Sequence, residues 1–320
     1  MKRILVVSFL VLLFNSCDDH SVEKRSEQKI SKEENFESPT SSSKRISDFP
    51  VDSLNSFWKK ELNDKDGFYK ITFPRTDIKL KLDDIPVVPA LAYTSWIAYL
   101  PVENGSRIMG DMVLLDSEIS KVLPYLKKNG INITAVHNHL LREKPRLIYM
   151  HFAGTGNAIE LSKKMKSAFE LTATPLTKKE DKDEEVKKVS KNFNWSSVKS
   201  ILGEGTENKD VIKFTFPRKE TIKMEHLTLP KTYGIATSIG FQGLDEQTAA
   251  ITGDFVMKEN EVNDVIATLS KNNIEITALH NHMLHEEPRL FYMHFWAVGE
   301  PEQLAKGLRE ALEKMKVVLN

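Results

Sequence analysis

Histidines are concentrated in two nearly identical stretches of this sequence. TAVHNHLLREKPRLIYMHF runs from Thr134 to Phe152, and ITALHNHMLHEEPRLFYMHF runs from Ile276 to Phe295. Each stretch has an H-x-H pair, a short break that contains proline, and a third histidine. Imidazole nitrogens are common ligands of zinc and other transition metals. The pattern therefore predicts metal binding by six histidines: His137, His139, His151, His280, His282 and His294.

The spacing favours a β-hairpin that turns the three histidines of one stretch to the same side. Alternate residues of a strand share a face, so His137 and His139 point the same way. The chain breaks at residues 142–145 and returns antiparallel. With the turn centred near residue 144, His151 pairs directly with His137, at a Cβ separation of roughly 5 Å. Three nitrogen ligands with an open fourth position is the layout of a catalytic zinc site.

A second repeated motif supplies carboxylates. Asp111 and Asp254 each follow a glycine at matching positions. We expect each of them to act as a fourth metal ligand or to orient a histidine ligand through a hydrogen bond. Met150 and Met293 directly precede the third histidine of each stretch, so they face the opposite side, as core residues. Thioether ligands favour copper, so the neighbouring methionines make copper the alternative metal to zinc. Histidines that are hydrogen-bonded on a sheet face without a metal are the plainer alternative.

Two further pairs of residues accompany the histidines. Tyr149 and Tyr292 lie two positions before the third histidine, so they share its face and could line a pocket. Arg146 and Arg289 follow proline and could bind a carboxylate or phosphate through two hydrogen bonds. A salt bridge from each arginine to the glutamate three residues before it is an equally good interpretation.

The elements that must position these residues occur twice. An offset of 143 residues aligns the two stretches, and residues 131–152 match residues 274–295 at 16 of 22 positions. A repeat of this length indicates duplicated domains rather than a solenoid, whose units have 20–50 residues. We expect a first domain over residues 51–173, a charged linker over 174–193 and a second domain over 194–320.

Within the first copy, hydrophobic periodicity predicts strands and helices. Residues 68–73 and 78–82 read as two strands around a turn, and residues 94–102 and 107–115 read as two more. A helix with apolar residues at helical spacing follows near residues 119–126, then the histidine hairpin and a closing helix. The second copy repeats this order. The predicted fold class is α+β, with two tandem homologous domains, each a mostly antiparallel sheet with two helices on one face.

The N-terminus resembles an export signal. MKRILVVSFLVLLFNSC has a basic start and an apolar core that is too short to span a bilayer. Its end resembles a bacterial lipoprotein signal, which predicts cleavage after residue 16 and a lipid on Cys17, the only cysteine of the chain. Residues 18–50 are polar and charged, as in a flexible tether. An ordinary signal peptide with an incidental cysteine is the alternative.

Composition excludes several function classes. The chain has 320 residues, with 45 basic and 45 acidic side chains, so no net charge or basic stripe favours nucleic acid. The sequence has no glycine-rich phosphate loop, no G-x-S-x-G motif and no cysteine after Cys17 to act as a nucleophile.

The combination of FPR, GD before a helix, and HNHLL followed by PRLIYMH resembles the LppY/LpqO family of bacterial exported proteins and lipoproteins, also called DUF1259. The resemblance covers about residues 54–173 and 195–316. It implies export, frequent lipid anchoring and single or tandem domains, and it implies no activity. The second copy departs from the pattern at residues 236–250, where ATSIGFQGLDEQTAA replaces the YTSWIAYLPVENGSR type of segment.

Three functions fit these observations, and whether the protein is an enzyme stays open. The first is a protein anchored by lipid on the periplasmic or surface side of a bacterial membrane, with a three-histidine zinc site in each domain that hydrolyses an envelope substrate. The second is a binding module for cell-wall or carbohydrate ligands, whose contacts would come from Trp96, Tyr149, Tyr292 and Trp296. The third is storage or delivery of zinc or copper.

Overall fold

Each repeat folds into a six-stranded antiparallel sheet with its helices on one face. In the first repeat the elements are α1 (Val51–Trp58), β1 (Asn63–Asp64), β2 (Tyr69–Pro74), β3 (Leu80–Leu82), β4 (Ile85–Val87), β5 (Thr94–Val102), β6 (Gly105–Leu115), α2 (Asp116–Lys128), β7 (Asn132–His137), β8 (Glu143–Lys144), β9 (Leu147–Gly156) and α3 (Ala158–Phe169). In the second repeat they are α4 (Ser196–Leu202), β10 (Thr206–Asn208), β11 (Val211–Phe216), β12 (Lys223–Met224), β13 (Leu227–Thr228), β14 (Thr237–Gly243), β15 (Ala249–Met257), α5 (Glu259–Lys271), β16 (Glu275–His280), β17 (Glu286–Glu287), β18 (Phe291–Gly299) and α6 (Pro301–Leu312).

The structure is a computed structural model, and it describes residues 49–177 and 193–319. These residues belong to one compact unit, Thr40–Asn320. The predicted signal peptide with Cys17, nearly all of the predicted tether and most of the predicted linker lie outside the described residues. Within the described part, no helix is long and apolar enough to cross a membrane.

The two sheets have the same strand order. It is β1-β2-β5-β6-β9-β7 in the first repeat and β10-β11-β14-β15-β18-β16 in the second. Each repeat also has a small three-stranded sheet, β4-β3-β8 and β13-β12-β17. The expected fold class is confirmed, with one short additional helix before the first strand of each repeat. The predicted pairing of residues 68–73 with 78–82 is wrong, because β2 pairs with β5 while β3 pairs with β4 and β8.

Strand alternation separates the two faces of each sheet. Ile71 and Phe73 of β2 and Met112 of β6 pack under the helices, where Leu161 and Phe169 of α3 cover them. The intervening residues lie on the opposite face. Strands β5 and β6 have consecutive buried residues in their middle, so both of their faces are covered.

The opposite faces of the two sheets pack against each other through two apolar clusters, each with residues from both repeats. The Met109 cluster includes Ala98, Leu100, Met109, Ile235, Val256 and Tyr292. The Val113 cluster includes Val113, Leu147, Tyr149, Val211, Ala250 and Trp296. The repeats therefore form a face-to-face pair that buries apolar surface on both sides of its centre.

The repeated FPR motif places a buried arginine at the start of the helix after β6. The Arg75 guanidinium donates to the Glu118 carboxylate at 2.8 Å and to the Val113 carbonyl at 2.6 Å. Arg218 makes the equivalent contacts with Glu261 and the Val256 carbonyl. The arginine of this motif is a structural residue, a role that the sequence analysis did not assign.

Candidate metal centre

The histidine hairpin forms, but its register differs from the predicted one by two residues. His137 ends β7 and pairs with Tyr149 of β9, whereas His151 pairs with Ala135. The residues between β7 and β9 set this shift of two residues, and the bulge between Ile133 and Ala135 lies on the far side of His137 from the turn. Because the shift is an even number of residues, His151 keeps the face of His137. The prediction that His151 lies directly opposite His137 is wrong, and the prediction of a shared face holds for both repeats.

The shared face of the hairpin is the interdomain face. His151 is 2% exposed, and its neighbour Met150 lies in the core under the helices of its own repeat. Met293 has the same position in the second repeat. The methionines are therefore core residues on the far side of the sheet, as expected from their alternation with the histidines.

The six histidines of the two repeats lie in one cluster between the sheets. The ring centroids of His137 and His280 are 3.6 Å apart, those of His139 and His294 are 3.6 Å apart, and those of His151 and His282 are 3.8 Å apart. The sequence analysis expected one separate set per repeat and did not anticipate this convergence.

Ligand atoms within the cluster fall into two sets, in each of which they all lie within 4.8 Å of one another. The first set is His137, His139 and His151, and the second is His137, His280, His282 and His294. His137 belongs to both sets, so the first repeat contributes a nitrogen to the set of the second.

Most ring nitrogens in the cluster have no hydrogen-bond partner within the part of the chain that the structure describes. The buried unpaired atoms are Nε2 of His137, His139 and His294, Nδ1 of His280 and His282, and both nitrogens of His151. The other nitrogen of His137 lies 3.0 Å from the Asn138 carbonyl, and that of His294 lies 2.7 Å from the Gly253 carbonyl. A backbone carbonyl on Nδ1 leaves Nε2 as the lone-pair nitrogen, which is the arrangement of a metal-binding imidazole.

Burial keeps the imidazoles neutral. It lowers the pKa of His137 to about 4 and that of His294 to about 3. The pKa values of the other four also fall below the ordinary value of 6.5, first through burial and then through the neighbouring histidines. Neutral imidazole is the form that coordinates a metal ion.

The two aspartates of the repeated GD pair lie beside the histidines. Asp254 Oδ2 is 3.4 Å from His282 Nε2, and Asp111 Oδ1 is 4.0 Å from His151 Nε2. Oδ1 of each aspartate is buried without a hydrogen-bond partner among the described residues. Burial raises the pKa of Asp111 to about 8 and raises that of Asp254 well above its ordinary range. These are carboxyl groups that a nearby cation would ionise.

The glycine of the GD pair has a steric role. A Cβ at Gly110 would collide with the carbonyl oxygen of Trp96 and with the Phe152 ring, and one at Gly253 would collide with the Ser238 carbonyl oxygen. Glycine therefore lets β6 and β15 approach their neighbours where the aspartate faces the histidines.

The tyrosines stack on the cluster, and the arginines do not contact it. The rings of Tyr149 and His139 have centroids 3.2 Å apart, and Tyr292 stacks on His282 at 3.6 Å. Arg289 binds Glu286 at 3.3 Å and two nearby carbonyl groups. Arg146 is exposed. The proposed salt bridge is thus formed in the second repeat, and neither arginine shares a hydrogen bond with a histidine in the described structure.

Polar contacts also join the two hairpins to each other. The hydroxyl of Thr277 donates to the His139 carbonyl, and the Asn138 amide donates to the Thr277 carbonyl at 3.4 Å. Arg142 binds Glu275 across the repeats at 2.7 Å. These contacts hold the edge strands β7 and β16 together at the histidine end of the interface.

The histidines belong to a longer line of polar residues through the interface, which we term the polar seam. It consists of the six histidines, Asp111, Asp254, Lys70 and Lys213. On β6, Asp111 lies between Met109 of one apolar cluster and Val113 of the other. Equivalent residues of the two repeats meet in the seam where His137 stacks on His280. Burial and then the charge of Asp111 raise the pKa of Asp254. The sequence analysis missed the two lysines, whose only signal was their matching position in the two copies.

Comparison with known proteins matches the repeat to a family model. A model described as "Domain of Unknown Function (DUF1259)" matches residues 53–171 and again residues 196–314. A comparison with curated proteins found no match.

Several solved structures are distantly similar to this chain. One is an unknown protein from Galdieria sulphuraria, with 10% identity over 68% of this chain and 97% of that chain and a TM-score of 0.19. The trimeric bacterial microcompartment shell protein PduB has 9% identity over 81% of this chain and 96% of that chain, with a TM-score of 0.21. EtuB from Clostridium kluyveri has 7% identity over 78% and 90%, with a TM-score of 0.18. At these TM-scores the likenesses bear on neither mechanism nor ligand.

Proposed function

The chain belongs to the DUF1259 family as two tandem copies of its domain, and we propose that the two copies together bind transition-metal ions through the six histidines at their interface. The observation that carries this proposal is the convergence of six neutral imidazoles, each with at least one ring nitrogen that is buried without a partner among the described residues. An unpaired buried polar atom costs about 1–3 kcal/mol. Seven such atoms lie in the cluster. Because each of the six neutral imidazoles has one lone-pair nitrogen, they favour an ion that accepts these lone pairs.

Zinc fits the donor set better than copper does. The ligands are imidazole nitrogens with carboxylates beside them, and Met150 and Met293, which precede the third histidine of each repeat, lie in the cores under the helices. Zinc is commonly bound by histidine with aspartate or glutamate, whereas thioether sulfur selects copper. When bound, zinc would supply Lewis-acid chemistry.

Residues of the chain itself support a hydrolytic role for this centre. Asp111 and Asp254 lie beside the histidines with one oxygen each unpaired among the described residues, so each, once a bound cation has ionised it, can accept a proton from a group held there. The pKa of Asp111, about 8, is near the pH at which a general base or acid works best. We propose metal-assisted hydrolysis of a polar envelope substrate as the activity.

We further propose that the protein is exported and held at a bacterial membrane by a lipid on Cys17. The signal-like residues 1–17 and the charged tether after them support this location. A tether allows a folded pair of domains to act at a distance from the membrane surface.

Storage or delivery of metal is the second candidate. One observation favours it: His137 belongs to both ligand sets, so an ion could pass from one set to the other without leaving the cluster. A binding module built on the four aromatic residues has less support. Tyr149, Tyr292 and Trp296 are buried and Trp96 is half-buried against the Met109 cluster, so they form no exposed aromatic face.

Metal content of the full chain, purified in detergent without a histidine tag, tests the proposal. We expect elemental mass spectrometry to find at least one equivalent of zinc in the wild type. The triple variant His280→Ala, His282→Ala, His294→Ala leaves only the set of His137, His139 and His151, so its zinc content or affinity should fall below that of the wild type. His285→Ala, which changes an exposed histidine, should bind zinc like the wild type. The absence of stoichiometric metal after reconstitution with zinc and with copper would overturn both metal functions.

A further inference from the structure

The second repeat has a cavity of about 80 Å³ beside its small sheet. Its wall includes the side chains of Arg218 and Glu220. Its floor consists of three buried aliphatic side chains, Ile222, Leu229 and Ile235. Three exposed residues line the remaining side, so the cavity opens to solvent there: Thr221, Thr228 and Lys231. A space of this size holds a molecule of a few non-hydrogen atoms.

The first repeat fills the corresponding space with a tyrosine. Tyr93 and Ile235 are equivalent, because each lies two residues before the strand partner of the FPR phenylalanine, which is Ser95 in the first repeat and Thr237 in the second. Tyr93 is 2% exposed, and its hydroxyl donates to the Val87 carbonyl at 2.8 Å. Isoleucine is smaller than tyrosine, so part of this space is left empty in the second repeat.

A shorter segment enlarges the same space. Leu80 and Ile222 are equivalent, because each lies two residues before the strand partner of the glutamate in β8 or β17. Between the FPR arginine and this position the first repeat has residues 76–79, among them the buried Ile78. The second repeat has only residues 219–221 there, and none of them is buried. The cavity therefore results from two differences between the copies.

The cavity is lined by an arginine with one unused donor. Arg218 is 1% exposed, and its terminal nitrogens donate to Glu261 and Glu220. Its Nε is buried without a hydrogen-bond partner among the described residues. In the first repeat the same atom of Arg75 donates to Asp77 at 3.0 Å. The donor has thus lost its partner in the repeat that has the cavity, where an acceptor atom of a bound molecule would satisfy it.

The charges around the cavity favour a single negative charge. Lys231 lines it with Arg218 and Glu220. Arg218 also pairs with Glu261, and Glu220 pairs with Lys258 at 3.2 Å. Three cations and two carboxylates leave one positive charge. A monoanion compensates this charge, whereas a dianion would be repelled by the Glu220 carboxylate in the wall.

We propose that the second repeat binds a small organic monocarboxylate in this cavity, with the carboxylate at the Arg218 Nε–H and the carbon atoms on the aliphatic floor. A hydrogen bond between a guanidinium and a carboxylate is charge-assisted, which makes it one of the stronger hydrogen bonds in proteins. Lys231 at the open side adds a second attractive charge. The site needs no metal ion, and the first repeat cannot form it because Tyr93 and Ile78 occupy the space.

Isothermal titration calorimetry of the full chain with sodium propionate at pH 7 tests this site. Detergent keeps the chain in solution, chloride holds the ionic strength constant, and a nitrogen-donor chelator without carboxylates removes metal from the histidine cluster. We expect saturable binding of one equivalent in the wild type. Propionamide, which has the same size and no charge, should bind at least about tenfold weaker. Inorganic phosphate should also bind at least about tenfold weaker, because part of it is a dianion at this pH.

Two variants locate the binding in the cavity. Ile235→Tyr introduces the side chain of the first repeat and should abolish saturable binding of propionate. Lys231→Met, which changes an exposed residue, should weaken binding about threefold, since solvent screens that charge. The matched control Lys81→Met, at an exposed lysine of the first repeat, should bind like the wild type. Thermal melts check folding, and if Ile235→Tyr is unfolded, the comparison of Lys231→Met with Lys81→Met decides.

Three results would overturn the proposal. The first is no saturable binding of propionate by the wild type, which would leave water as the partner of Arg218 Nε. The second is equal affinity for propionate and propionamide, and the third is wild-type binding by a folded Ile235→Tyr or by Lys231→Met, which would show that the ion binds elsewhere. Because metal is removed in every titration, none of these results bears on the proposed function of the histidine cluster.

Discussion

His137 and His280, which are 143 residues apart in the sequence, stack with their ring centroids 3.6 Å apart and their planes 25° from parallel. Each is the first histidine of its H-x-H pair, so the contact joins the same position of the two repeats. It makes His137 a member of both ligand sets, and its Nδ1 is already engaged by the Asn138 carbonyl. A single nitrogen of His137 is therefore left for two sets.

The shared position of His137 predicts a ranking of histidine variants. His137→Ala removes a ligand from both sets and should weaken zinc binding more than His139→Ala or His282→Ala, each of which affects one set. We expect at least a tenfold difference, as for the loss of one strong ligand interaction. Competition with a chromophoric chelator measures the affinities. Equal affinities for the His137→Ala and His139→Ala variants would show that the two sets do not share a ligand.

Asp254 should tune the affinity of the cluster. Its Oδ2 is 3.4 Å from His282 Nε2, close enough to orient the ring or to join the ligands. Asp254→Asn keeps the size and removes the charge, and we expect a loss of zinc affinity of about 10–100-fold. The matched control is Asp264→Asn on the exposed face of α5, which should leave the same chelator titration unchanged. Wild-type affinity in Asp254→Asn would assign the aspartate a purely structural role.

The buried Arg75 should matter for stability rather than for metal binding. The side chain is fully buried and pairs with Glu118, which is 8% exposed. Arg75→Leu leaves that carboxylate buried without its partner, which typically costs about 3–5 kcal/mol in the free energy of unfolding. Urea denaturation measures the loss. Lys163→Gln breaks the exposed pair with Glu160 and should change stability by less than about 1 kcal/mol; comparable losses in the two variants would contradict the assignment.

Lys70 and Lys213 of the polar seam predict a pH dependence at alkaline pH. In the folded chain the pKa of Lys70 and of Lys213 is about 8, against 10.5 as the ordinary value. Between these values the unfolded chain holds more protons, so folding becomes more favourable as the pH rises. The double variant Lys70→Met, Lys213→Met lacks this gain. Its advantage in melting temperature over the wild type should be largest below about pH 8 and should shrink towards pH 10.5, in chloride buffer with a chelator. A constant difference across this range would contradict the lowered pKa values.

Much of the site follows from local sequence rules. A strand has a side-chain period of two, so the common face of the histidines and tyrosines, and the opposite face of Met150, could be predicted without knowing the partner strand. The left-handed residues Gly130 and Asn273, with φ of 73° and 56°, were also predictable. They follow the helices, and the conformation that ends a helix is a local property of the sequence. The register of the hairpin was not, because the residues between β7 and β9 set it, and they pair His137 with Tyr149 instead of His151.

The convergence of the two histidine sets depends on packing between domains, which no local period encodes. One signal pointed to it: RIMGDMVLL, residues 107–115, is apolar on both sides of the strand except at a few positions. A strand with one solvated face would alternate, so this run indicated a sheet covered on both faces. The burial of Arg75 had no such signal, because nothing in the FPR motif distinguishes a buried arginine from an exposed one.

The two interdomain clusters have a consequence for how such a chain could arise. A chain with one copy of the domain would expose the face that carries Met109 and Val113. Two such chains could cover these faces in an isologous homodimer, with the Met109 patch of each chain on the Val113 patch of the other, as Met109 here shares a cluster with Val256, the counterpart of Val113. Fusion of the copies makes that dimer permanent at any concentration. It also frees the halves to differ: Trp96 stands opposite Asp111 and Ser238 opposite Asp254, an asymmetry that a homodimer of identical chains cannot have.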